Sequence, residues 1–578
     1  MTHRSAAHRP QVDIVVSMSA PSSSAGISAH YKWLALSNTT IAVLLATIDS
    51  SIMLIAMPEI FRGIKLNPLE PGNTFYLLWM ILGFLIVSSV LVVSLGRLGD
   101  MFGRVKMYNL GFVVFTIASL LLALDPFTDQ AGALWLIVGR IFQGIGAAFL
   151  IANSAAILTD AFPANQRGLA LGINNIAGIS GSFIGLILGG VLAAIDWRLV
   201  FLVSVPFGLF GTIWSYSKLK ELGQRHRARI DWAGNASFAT GLILIMIGIT
   251  YGIEPANGND MGWTSASVIA LLAAGVASLI AFVIIEARVS EPMFRLHLFK
   301  IKAFTFGTLS TFLSAIGLGG LMFMLIIWLQ GIWLPLHGYS FAQTPLWAGI
   351  FMLPLTVGFL LSGPLSGYLS DRLGARYFAT GGMIGAAASF LLLMLLPIDF
   401  NYWVFAVILL FNGLSMGTFA APNRAAIMNS LPARDRGAGG GMNSTFQNSA
   451  QVLSIGVFFT LMIIGLSLTL STTLTHSLMQ HGVSATVAGK IGALPPVSIL
   501  FAAFLGYNPI QTLVGAGVLD HLSAANRMEL TGHSFFANLI SDPFHAGLTE
   551  AFIFAAVVCL VAAAASWSRG SRYVHDDH

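Results

Sequence analysis

Fourteen apolar runs, each about 20 residues long and nearly free of charge, follow one another through this chain. Such a run is long enough to cross the roughly 30 Å hydrocarbon layer of a bilayer as a helix. A soluble fold would need polar faces that a chain only 9% charged, with a mean hydropathy of +0.81, does not supply; soluble domains carry roughly 25% charged residues. Transmembrane barrels fit poorly too, because the runs are continuous and do not alternate. The reading is an all-α polytopic membrane protein, with its first runs near 34 to 57 and 75 to 95 and its last two near 443 to 468 and 549 to 567.

Basic residues set the orientation, since cytoplasmic segments keep Lys and Arg. With the N-terminus inside, inner segments hold 23 of the 29 cations, outer segments hold Arg62, Lys65, Arg198, Lys490 and Arg527, and Arg140 falls within a run. Both termini are therefore expected to be cytoplasmic in a cell (plasma or inner) membrane. The net charge of +5 follows from that topology and is no sign of a nucleic-acid partner. Residues 1–33, with Arg4, Arg9 and a PSSSAG tract, hold no apolar run and are expected to form a disordered cytoplasmic arm, not a cleavable signal peptide. Cys559 is the only cysteine, which rules out an internal disulfide and a Cys-based metal site.

The stretch Gly96, Leu98, Asp100, Gly103 recurs as Gly367, Leu369, Asp371, Gly374, and PANQRG at 163–168 recurs as PARDRG at 432–437. Repeats held in register and on one side of the membrane point to two related halves joined in parallel. The implied organisation is a six-helix half over 34–217, a basic loop with two extra helices over 218–302, and a second six-helix half over 303–568, followed by a tail at 569–578. Within the second half, 469–548 is long, partly apolar and broken by Pro495, Pro496 and Pro509. It is expected to be an external helical hairpin on or near the outer leaflet, with two more spans as the alternative.

Several of these motifs together resemble the fourteen-span drug:proton antiporters of the major facilitator superfamily. GRLGDMFGRVK at 96–106 matches that family's signature between spans 2 and 3, and RIFQGIGAA at 140–148 its fourth-span signature. IDSSIMLIAMP at 48–58 and WRLVFLVSVPFG at 197–208 resemble its first span and its turn into the sixth. Two positions depart from the pattern: Leu186 stands where the fifth-span signature carries proline, and Leu54 where the first span usually has Asn. The resemblance implies a major facilitator fold of two six-helix halves plus two central helices. It also implies a cytoplasmic gate at Gly96, Asp100, Gly103, Arg104, Asp371 and Arg372, in which Asp100 and Arg104 latch across the halves when the transporter is open outward. In the family the fifth span lies at the domain interface and governs leakiness.

Of 24 acidic residues, only Asp49 falls deep within a run; no histidine does, and Arg140 is the only deep cation. A buried ionisable group in a membrane is costly and marks function by default. Burial disfavours the charge on an acid while a nearby cation restores it, so a site balanced between the two can take up and release a proton. Asp49 is thus the candidate proton carrier, with Arg140 tuning it and Gln143 one turn away; the alternative is a permanent ion pair joining spans 1 and 4. Leu409 stands where Arg140 would be in the second half, so proton handling is expected in the first. Gly178, Gly181, Gly185 and Gly189 line one side of the fifth span at helical spacing, permitting close backbone contact. The candidates for a substrate cavity are Trp79, Asn174, Asn175, Asn412, Gln447 and Gln451.

No P-loop, HExxH or GxSxG pattern occurs, so neither ATP hydrolysis nor the common hydrolase chemistries are indicated. Without a cofactor, energy is expected to come from a proton gradient. The function read from the sequence is multidrug efflux: a protein acting as a monomer that exchanges protons for small lipophilic or amphipathic compounds. A lipid or glycolipid exporter, with the external insert as a ramp, is the alternative, and a transport-inactive receptor or scaffold is the alternative of another class.

Overall fold

A computed structural model of the chain describes residues 30–570 apart from 68, 71, 164–165, 224–230, 257–260, 433–434 and 506–507. The side chains of Asp371 and Asn175 also lie outside the described set, as do most of the expected arm and tail. Fourteen helices among the described residues are long and apolar enough to cross a membrane. They are α1 (Tyr31–Gly63), α2 (Asn73–Phe102), α3 (Arg104–Ala123), α4 (Asp129–Ala161), α5 (Arg167–Ile195), α6 (Leu199–Lys218) and α7 (Trp232–Gly252). There follow α8 (Ala266–Arg288), α9 (Lys302–Leu336), α10 (Thr344–Ser370), α11 (Ala375–Met394), α12 (Tyr402–Asn429), α13 (Arg436–Ser467) and α14 (His533–Ser568).

The helices outrun the apolar stretches that announce them. Helix α1 starts at Tyr31, inside the expected arm, where the Tyr31 hydroxyl accepts from Lys220 N–H at 2.8 Å. It ends beyond Pro58 with an ion pair between Arg62 and Glu59 at 2.7 Å. A hydrocarbon layer needs only about 20 residues of helix, so the surplus turns at each end carry the polar machinery.

The sequence repeat is a repeat of packing. In the first half α1 lies against α5, α2 against α4, α3 against α4 and α3 against α6; in the second, α9 against α13, α10 against α12, α11 against α12 and α11 against α14. The repeated glycines show why their positions are restricted. Gly103 and Gly374 follow α2 and α10 with φ of 113° and 93°, a backbone region that side-chain-bearing residues rarely adopt. A Cβ on Gly96 would sit 3.6 Å from Ala152, and one on Gly367 3.6 Å from Ala421, the same close helix contact twice. The pair α7 and α8 belongs to neither half and packs at their seam, with α7 touching both α2 and α13.

The 469–548 stretch departs from expectation in two ways. Helix α14 begins at His533, so the last 16 residues of the stretch are already part of the final helix. The remainder forms short helices, of which Ala485–Gly492 and Pro496–Phe504 meet at 83° across Pro495. Every residue of Pro496–Phe504 is buried. Phe504 packs on Phe323 of α9 at 5.0 Å and Phe501 on Phe459 of α13 at 5.2 Å, while Arg62 donates to the Leu505 carbonyl at 3.3 Å. Its most apolar segment is thus turned onto the helix bundle, because that burial is available only on the protein side of the cap.

Candidate functional site

Asp49 and Arg140 are joined. The Asp49 Oδ2 accepts from Arg140 Nη1, and Oδ1 accepts from Gln143 Nε2 at 2.9 Å. Arg140 Nη1 also donates to Gln143 Oε1 at 2.8 Å and its Nε to the Met80 carbonyl at 3.3 Å, while its guanidinium lies 4.4 Å from the Phe84 ring centre. Gln143 Nε2 donates in turn to Ser119 Oγ at 2.7 Å. All four side chains are buried, at no more than 1% exposure. Gly144 permits the approach, since a Cβ there would fall 2.8 Å from the Phe84 carbonyl.

Both carboxylate oxygens accept and all three guanidinium hydrogen bonds donate, so the network is arranged for an ionised Asp49. If Asp49 takes up a proton, Arg140 retains the Gln143 and Met80 oxygens and the Phe84 face. Its charge is therefore not stranded.

The second half keeps part of this arrangement. Asn412 Nδ2 donates to Ser389 Oγ at 2.6 Å between α12 and α11, as Gln143 does to Ser119 between α4 and α3. Leu409 is buried in the position of Arg140. Asn412, read from the sequence as a cavity candidate, is instead this structural cross-link.

A cavity of about 310 Å³ lies between the halves. Its polar lining includes Ser50, Ser51, Ser182, Thr311, Ser314 and Asn423, with Asn443, Gln447 and Gln451 in a row along α13. Leu54 and Leu186, the two departures from the family pattern, line it as well, with Phe183, Met322, Phe323 and Phe359. Of the expected cavity residues whose side chains are described, Gln447 and Gln451 are there. Trp79 stacks on Phe75 at 5.5 Å, and Asn174 reaches Thr39 of α1 at 3.5 Å. Arg424 also lines the cavity and is the only ionisable side chain to do so among the described residues. The apolar run ends at Pro422, but α12 continues to Asn429 and carries Arg424 with it. The spacing of Met416, Phe419, Ala420, Asn423 and Arg424 on one helical face is the signal that would have found it.

Asp49 does not line this cavity. Its neighbours Ser50, Ser51 and Leu54 do, so α1 carries the ion pair on one face and the cavity wall on another.

At the end away from the termini the halves touch. A Cβ on Gly190 would fall 2.5 Å from Leu346 Cα, and one on Gly349 3.2 Å from the Leu186 carbonyl. The cavity extends toward the other end, to Asn423 and Arg424 near the close of α12 and Asn443 near the start of α13. Here the expected latch is not made among the described residues. Arg104 pairs with Asp100 at 2.7 Å and Asp160 at 2.6 Å, all within the first half, and Glu221 accepts from the Arg104 and Val105 amides at 2.9 and 3.1 Å. Arg372 stacks on Tyr368 at 4.7 Å. The latch implied by the resemblance belongs to the outward-open state, and here the cavity extends toward this end.

The glycine ladder is likewise placed differently. A Cβ on Gly185 would lie 2.5 Å from the Ile48 carbonyl, one on Gly181 3.1 Å from that of Leu44 and one on Gly189 2.9 Å from that of Ile52, while Gly178 faces Val43. These four glycines pack α5 on α1 inside the first half; Gly190, one residue on, faces the other half.

The family model for the Major Facilitator Superfamily matches residues 39–455. Among similar proteins, the methyl viologen resistance protein SmvA of Salmonella typhimurium is 30% identical over 74% of this chain and 82% of its own length. The riboflavin transporter RibZ of Clostridioides difficile is 28% identical over 74% and 87%. The tetracenomycin C resistance and export protein of Streptomyces glaucescens is 25% identical over 92% and 90%. A solved bacterial homologue of the human lysosomal transporter Spinster, inward-facing and occupied, shares the fold at a TM-score of 0.51 and 15% identity, over 94% of this chain and 97% of that one. With its fourteen membrane helices and two repeated halves, the chain belongs to the major facilitator superfamily.

Proposed function

We propose that the protein is a proton-driven exporter of amphipathic small molecules in the cell membrane, with both termini cytoplasmic and the cavity facing the cytoplasm in this conformation. The observation that carries the reading is the Asp49, Arg140, Gln143 and Ser119 network on the reverse of the cavity wall. Proton uptake by Asp49 removes the tie between α1 and α4, and α1 moves the cavity residues Ser50, Ser51 and Leu54 with it. Cargo and proton are coupled through a shared helix and need no shared site.

The cavity favours compounds with an apolar body and hydrogen-bonding groups, because aliphatic, Phe and Met side chains alternate with hydroxyls and amides. No carboxylate among the described residues lines it to draw in a cation. Resistance and export proteins among the relatives are consistent with outward drug transport, and RibZ adds a vitamin to the range of cargo that related chains carry. The test is reconstitution into vesicles with an imposed pH gradient and three probes: a cationic dye, a neutral drug-like compound and a fluorescent lipid. The neutral compound is expected to accumulate only with the gradient. Movement of the lipid alone would overturn the drug reading, and accumulation without a gradient the antiport.

A further inference from the structure

A pair of acids meets where the central helices join the halves. Asp231, the N-cap of α7, and Glu286, in the last turn of α8, are 6% and 3% exposed. One oxygen of each is taken by a backbone amide: Gly234 N–H donates to Asp231 Oδ1 at 2.7 Å, and Phe294 N–H to Glu286 Oε2 at 2.9 Å. The other oxygens, Asp231 Oδ2 and Glu286 Oε1, are buried with no hydrogen-bond partner among the described residues. Both converge over Gly234, where even a methyl group would collide with the two of them.

Two ionised carboxylates in contact repel, and sharing one proton relieves that repulsion while pairing both orphan oxygens. Among the described residues Arg97 of α2 faces both acids, with Glu291 and Arg295 about it. Arg97 Nη1 donates to the Glu291 carbonyl at 2.9 Å and its Nη2 to that of Pro292. Arg295 pairs with Asp435, and among the described residues Arg97 is the cation set against both acids. One positive charge balances a pair that keeps one proton.

We propose that Asp231 and Glu286 form a second proton-binding site, with one carboxylic acid O–H donating to the other's carboxylate oxygen. The shared proton clasps the central helices onto both halves. Ser94 of α2 donates to Asn235 of α7 at 2.6 Å beside it, and Phe294, held by Glu286, packs edge-on against Phe446 of α13 at 5.6 Å, next to the cavity residue Gln447.

The test uses the full chain in lipid nanodiscs, with Asp49→Asn as background so that Asp49 adds no signal. Infrared spectra at neutral pH are compared in the carbonyl stretch of neutral carboxylic acids. Adding Glu286→Gln is expected to remove a band worth one carboxyl per chain, and adding Asp231→Asn to remove the same band. In Glu286→Gln the new side-chain amide would accept from Phe294 N–H and donate to Asp231, reproducing the protonated pair, so the fold is expected to persist. The melting temperature of this variant is expected to stay level as pH is raised above neutral, while that of the Asp49→Asn background alone falls. An unchanged band with parallel melting profiles would overturn the proposal. So would a band abolished by sodium or magnesium chloride, which would put a metal cation in the proton's place.

Discussion

Replacing Arg140 by Leu, the residue its repeat position already holds at Leu409, tests whether the ion pair is as buried and as interdependent as its geometry indicates. The substitution strips Asp49 of one of two donors and leaves Gln143 Oε1 without its contact. At an effective dielectric near 20, unit charges about 3 Å apart attract by roughly 5 kcal/mol. Orphaning a buried acceptor adds about 1–3 kcal/mol, and the packing of Leu offsets part of both. Removing one member of a buried pair costs about 3–5 kcal/mol overall. Asp49→Asn with Arg140→Leu removes both charges and is expected to recover most of that loss, approaching the uncharged arrangement of the second half. The assay is thermal unfolding of the purified variants in one detergent. The expected order is the original chain above the double variant and the double variant above Arg140→Leu. A single variant as stable as the original, or a double variant no better than the single, would refute the reasoning.

Gly190→Leu forces apart the contact with Leu346 and is expected to cost the present conformation about 1–3 kcal/mol. In a Cys559→Ser background carrying Leu54→Cys, thiol labelling from the side away from the termini should rise; unchanged labelling would place the closure elsewhere. Asn412→Ala should lower stability by about 1 kcal/mol through loss of the Ser389 bond, measured as a lower melting temperature, with cargo preference intact. Gln451→Leu should reduce transport of hydrogen-bonding cargo by about 2- to 12-fold, the worth of one such bond, while leaving the response to a pH gradient in place.

Number of spans, halves and proton candidate were legible in the sequence because each depends on contrast. A carboxylate in an apolar run stands out, and a glycine required at φ of 113° recurs where the fold recurs. Partners were not legible. Helical spacing of Gly178 to Gly189 announces a close contact without naming α1 as the neighbour. Ser50 and Ser182 resemble the many hydroxyls that only bond their own helix, as Ser51 Oγ does to the Thr47 carbonyl at 2.9 Å. Arg424 read as a loop residue because hydropathy ends with the apolar run while the helix continues. Whether Asp100 and Arg104 latch across the halves depends on which end of the bundle is open, a property of conformation and not of residue order.

The most direct measurement of the account is uphill transport by Asp49→Asn in vesicles with an imposed pH gradient. The account predicts that this variant equilibrates its cargo in both directions but no longer concentrates it against a gradient, with proton flux lost alongside. Concentration of cargo to the level reached by the original chain would contradict the assignment of Asp49 as the proton carrier.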